Sequence, residues 1–89
     1  MNLRYGYTVD AGVVAFFGEQ TRKQREQLAA AFESLAENPF QDGENQRIQA
    51  NERTLQVTAF RGRWVVSWWV DHPVRLVRIV EVHRLTSLA

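Results

Sequence analysis

From Thr54 to Phe60 the chain alternates polar and apolar side chains, the period-two pattern of a strand with one buried face. Arg63 to Val70 is dense in Val and Trp and reads as a central strand, and Val74 to His83 is a further β-branched run. Arg61-Gly62 and His72-Pro73 separate these runs as two-residue turns. The first half has a different period. Leu28, Ala31, Phe32 and Leu35 recur at i, i+3, i+4 and i+7, the single apolar stripe of an amphipathic helix. Thr21 and Gln24 have the spacing of a capping box at its start, and Asn38-Pro39 ends it. Val13, Val14, Phe16 and Phe17 predict a shorter helix, with Asp10 as N-cap and Gly18 as its stop. Residues 3–9 read as a first strand and residues 40–46 as loop.

Two-residue turns would pair Ala59 with Trp64, Val57 with Val66 and Leu55 with Trp68, and then Trp68 with Val77 and Val66 with Ile79. One sheet face is then almost wholly apolar and belongs under the helices. The opposite face would carry Thr54, Gln56, Thr58, Phe60, Arg63, Val65, Ser67, Trp69, Leu76, Arg78, Val80, Val82 and Arg84. The expected architecture is α+β: an N-terminal strand, two helices, then an antiparallel β-meander with both helices on one face. An open face bearing Trp69, Val80 and Val82 is apolar enough to require a cover. The tail from Leu85 to Ala89 is too short to supply all of it, which implies a partner.

With 89 residues, a single domain over 1–89 is the expectation. Hydrophobic residues make up 45%, enough for one core and too many for a disordered chain. The absence of Cys removes disulfides, thiolate catalysis and cysteine-based zinc sites. No apolar leader or membrane span is readable, so the expected location is the cytoplasm. The net charge of +1 conceals an asymmetry. Residues 1–46 hold four basic and seven acidic groups, or −3, whereas residues 47–89 hold seven Arg against Glu52, Asp71 and Glu81, or +4. Guanidinium groups suit bidentate contact with phosphate or carboxylate, so an anionic partner fits the second half, although solvated strand edges account for the same charges.

Trp64 and Trp68 fall on the apolar face. Trp69 falls on the open one, where it could stack on a base, anchor a partner or pack on the chain's own tail. His83 is expected to face the helices, and His72 to be an exposed turn residue. The two do not form a metal site. Glu52 and Glu81 are too isolated for paired-carboxylate chemistry, and Gly12 and Gly18 lack a phosphate-loop context. No cofactor and no metal are expected.

Three segments carry a family resemblance. The helix closes with Leu35-Ala36-Glu37-Asn38-Pro39, the central hairpin strand reads Gly62-Arg63-Trp64-Val65-Val66-Ser67-Trp68-Trp69-Val70-Asp71, and the last strand reads Ile79-Val80-Glu81-Val82-His83-Arg84. In this order and spacing the chain resembles the RelE/ParE toxin superfamily over nearly its whole length. The resemblance implies the toxin component of a type II toxin–antitoxin, or plasmid stabilisation, module. Such a protein inhibits growth and is neutralised by a cognate antitoxin lying across the open sheet face. The implied target is ribosome-bound mRNA, through RNA binding and endoribonuclease action, or DNA gyrase. Arg84 matches the family's C-terminal Arg, and Arg63 and Arg78 lie on the same face by parity, so these three are the candidate catalytic groups, holding a scissile phosphate. Trp69, Arg61, Val80, Val82 and Gln56 are the candidate partner contacts. The chain departs from the nuclease pattern in three places. Thr54, Gln56 and Thr58 stand where basic residues are expected, Val65 stands at the third-strand Arg, and no Tyr follows Arg84. These departures favour a binding toxin of the ParE kind or a decayed site. The alternative is a non-toxic homodimeric module, and a heterotetramer with antitoxin is a further expected assembly.

Overall fold

A computed structural model describes residues 4–49, 51 and 53–85. Strand β1 spans Gly6–Val9, helix α1 Ala11–Gly18, helix α2 Arg22–Glu37, and strands β2 to β5 span Asn45–Ile48, Thr54–Phe60, Trp64–Asp71 and Leu76–Arg84. The strands form one mixed sheet in the order β1-β5-β4-β3-β2, with β1 parallel to β5 and the other pairs antiparallel. Both helices pack on one face, as the sequence predicts. Leu3, Glu52 and the tail residues 86–89, which figured in the sequence reading, lie outside the described residues.

Local chemistry explains the helices. The Thr21 hydroxyl accepts from the Gln24 amide at 3.2 Å, and the Gln24 side chain accepts from the Thr21 amide at 3.0 Å, so two otherwise unpaired donors are satisfied. Asn38 leaves the helical region ahead of Pro39 (φ −132°, ψ 70°). Leu28, Phe32 and Leu35 then meet Trp64, Val66, Trp68, Val77 and Ile79 in a continuous core with Val13 and Val82.

The sheet departs from the expected register at two places. Arg61 and Gly62 both adopt positive φ (55° and 59°), and the Arg63 amide donates to the Phe60 carbonyl at 3.0 Å. The loop therefore has three residues rather than two, and Phe60 pairs with Trp64, Thr58 with Val66 and Gln56 with Trp68. Because side chains alternate with period two, this single step reverses β3. Thr54, Gln56, Thr58 and Phe60 share the helix side with Trp64 and Trp68, while Leu55, Val57 and Ala59 share the other side with Trp69.

The second correction lies in β5. His72–Val74 form a 3-10 turn and Arg75 is left-handed (φ 55°), so β5 begins at Leu76 opposite Asp71. Trp68 pairs with Ile79 but Ser67 pairs with Glu81, which leaves Val80 as the extra residue of a β-bulge. Beyond it the alternation is inverted. Val82 and Arg84, expected on the open face, turn to the helix side opposite Val66 and Trp64, and His83, expected on the helix side, turns to the open face opposite Val65. Residues 45–48, read partly as loop, form the edge strand β2. Gly43 explains how the preceding loop closes on β3: its amide donates to Gln56 Oε1 at 2.8 Å, and the Glu44 amide donates to Thr58 Oγ1 at 3.2 Å.

Candidate functional site

Charged side chains lie on the helix-free face of the sheet beside half-buried Val57, Ala59, Val65, Trp69 and Val80. At its centre the Arg53 guanidinium lies 3.7 Å from the centroid of the Trp69 ring, a cation–π contact. Arg78, beside Trp69 on β5, donates from Nη1 to Thr8 Oγ1 and from Nη2 to Asp71 Oδ2, each at 3.3 Å. From the edge strand, Arg47 reaches Glu81 at 3.5 Å, and Glu81 also meets His83 Nδ1 at 3.3 Å. The Arg47–Glu81 pair spans β3 and β4, beneath which Leu55 and Ser67 are buried to 0% and 2% exposure. Between β1, β5 and the β2–β3 connection lies a shallow concavity of about 400 Å³, walled by Asp10, Asn51, Arg53, Trp69 and Arg78 among others.

The three Arg expected to share a phosphate do not converge. Arg78 lies in the open face and is held by Asp71 and Thr8. Arg84 projects to the helix side, where Nη2 donates to Gln20 Oε1 at 3.2 Å. Arg63 is at the hairpin tip, its guanidinium 5.4 Å from the Trp64 ring centroid. The separation follows from the bulge at Val80 and the three-residue loop.

The candidate partner contacts also divide. Trp69 is in the open face but half-buried under Arg53, and Val80 lines the concavity as the bulge residue. Val82 is in the core at 8% exposure. Arg61 lines a hollow with Gln27, Ser34 and Phe60 on the α2 side. The Gln56 carboxamide is occupied by Gly43 and Gln46. Of the apolar residues expected on the open face, Trp69 and Val80 are there and half-buried, Val82 is not, and the shifted β3 register adds Leu55, Val57 and Ala59.

Arg53 is the residue that sequence reasoning missed. Its parity with Leu55 and Val57 was legible, but only the three-residue loop puts that parity on the same side as Trp69. Among the described residues no group of three His, Asp or Glu is placed to hold a metal ion. No helix among them is long and apolar enough to cross a membrane.

Comparison with protein-family models finds no match, and comparison with curated proteins finds none. Among solved structures, the chain is similar to one in the crystal structure of the toxin–antitoxin complex RelBE2 from Mycobacterium tuberculosis. The TM-score is 0.75 over 94% of each chain, at 16% sequence identity. The likeness is one of fold.

Proposed function

We propose that this chain is the toxin-like component of a toxin–antitoxin module, neutralised by a dedicated antitoxin protein in the cytoplasm. The observation that carries the reading is the correspondence of fold with a chain of the RelBE2 complex over 94% of both chains. The open face supports it independently. Arg47, Arg53, Arg78 and His83 present donors across one surface, and Arg53 has no carboxylate partner among the described residues. Such a surface suits an anionic macromolecule or the acidic side chains of a protein that mimics one.

The mode of action we favour is inhibition by binding. Endoribonuclease chemistry needs donors gathered around one phosphate, with groups to move protons to and from the attacking and leaving oxygens. Arg63, Arg78 and Arg84 instead occupy the hairpin tip, the open face and the helix side. A gyrase-type protein target therefore fits better than ribosome-bound mRNA. Arg53, Trp69 and Arg78 are the residues we assign to target contact, with the antitoxin excluding the target from that face.

The test is controlled induction of the chain in a bacterial host, alone and together with the protein encoded by the adjoining reading frame. Growth should slow on induction alone and recover on co-expression. Primer extension on translated messages should show no new cleavage sites, while a supercoiling assay reports gyrase inhibition. Cleavage lost in Arg78→Ala would replace binding by catalysis as the mechanism. Normal growth on full induction would leave the non-toxic homodimer as the better account.

A further inference from the structure

Asp10 stands at the N-cap of α1, where an aspartate side chain ordinarily accepts from the amides of the first turn. Its backbone is fully engaged. The amide donates to the Ile79 carbonyl at 3.1 Å, and the carbonyl accepts from the Val13 and Val14 amides at 2.9 and 3.1 Å. Its side chain is not. The carboxylate makes no cap bond, and among the described residues it has no hydrogen-bond or ion-pair partner. It lines the open-face concavity instead, on a backbone tied to β5 on one side and to α1 on the other. A local rule broken at a rigid position marks a group kept for another use.

The neighbouring charges narrow that use. Asp71 holds Arg78 and Glu81 holds Arg47, so two of the guanidinium groups on this face already have carboxylates. What stays free at the concavity is one carboxylate, Asp10, and one guanidinium without a carboxylate, Arg53. The two do not pair with each other. A hollow of about 400 Å³ that offers one free charge of each sign, with neutral Thr8 and Asn51 beside them, complements two side chains of opposite charge. It does not complement a phosphate chain, every unit of which is negative and would meet Asp10.

We infer that Asp10 selects a protein over a nucleic acid at this site: its carboxylate takes a Lys or Arg of the target, while Arg53 takes a neighbouring Asp or Glu. The inference rests on the toxin-like reading and deepens it, because it adds Asp10 to the target contacts and names the charge pattern they read. Trp69, half-buried and lining the same hollow, gives the aliphatic stem of the incoming basic side chain an apolar surface. The guanidinium of Arg53 is suited to a carboxylate by its fork of donors.

The experiment compares the unaltered chain with Asp10→Asn and Asp10→Glu in two measurements. One is growth inhibition on controlled induction, scaled to the amount of protein made. The other is a fluorescence-polarisation titration of a labelled single-stranded RNA oligonucleotide at low salt. Asparagine suits an N-cap as well as aspartate does, so circular dichroism and melting temperature of Asp10→Asn should match the unaltered chain. Asp10→Asn should need about fivefold more protein for the same inhibition and bind the oligonucleotide about threefold more tightly. Asp10→Glu keeps the charge and should stay near the unaltered chain in both. Undiminished inhibition by Asp10→Asn, or an oligonucleotide affinity that does not rise, overturns the inference and leaves the toxin-like reading standing. So does an Asp10→Glu variant that behaves as Asp10→Asn, since charge would then not be what counts. If the unaltered chain leaves growth normal, the functional reading and this inference fall together.

Discussion

Gly43 occupies a site where a side chain has no room. A Cβ there would lie 2.7 Å from the Val57 nitrogen and 2.8 Å from the Val57 oxygen, and both are backbone atoms of a paired strand. Gly43→Ala must push the loop away from β3 and weaken the Gly43–Gln56 and Glu44–Thr58 hydrogen bonds. Overpacking of this kind costs about 1–3 kcal/mol, so the urea midpoint should fall with its slope unchanged. Arg53 acts in the opposite sense, as an added cover. Arg53→Ala uncovers one face of Trp69 and removes a contact of about 0.5–1 kcal/mol. A small loss of stability and a red-shifted tryptophan emission are expected; an unshifted spectrum would show that Arg53 does not shield the ring in solution.

Among the elements, α2 is specified most completely by its own residues, with cap, stripe and stop all present in the sequence. Thr21→Ala should cost about 1 kcal/mol through loss of the cap, read as a lower melting temperature and faster amide exchange in the first turn. Strand β5 depends on an irregularity. Ile79 and Glu81 pair with consecutive residues of β4, and Val80 is the surplus. Deleting Val80 should leave the pairs Trp68–Ile79 and Val66–Val82 intact and straighten the strand, so the variant should still unfold cooperatively with Trp64 and Trp68 buried. Loss of cooperativity would mean that the bulge is needed for the fold and not only for the aim of its side chains.

At the scale of the whole molecule, the proposed function makes target and antitoxin compete for the open face of the sheet. Arg53→Ala with Arg78→Ala should relieve growth inhibition and weaken antitoxin binding together, because both partners are assigned to that face. Growth curves with and without the co-expressed partner, together with the affinity of the purified complex, check both effects. Relief of inhibition with antitoxin affinity unchanged would argue that the two partners use different surfaces.

The amino-acid sequence by itself determined both helices, most of the strands and the sidedness of β5 only as far as Val80; the edge strand β2 was read partly as loop. Period, caps and breakers are local properties, and α1, α2 and the cores of β3, β4 and β5 follow from them. It also determined that Trp64 and Trp68 would be buried and that Arg would dominate the second half. How the strands face one another was decided elsewhere. The hairpin loop could close with two residues or three, and in the fold it closes with three, which sets Phe60 opposite Trp64. The bulge at Val80 leaves no local mark, because a β-branched residue suits a regular strand equally well. Each is a shift of one residue, and a period of two turns such a shift into a change of face. For that reason Arg53 came to stand over Trp69, and Arg84 went to Gln20 on the far side of the sheet.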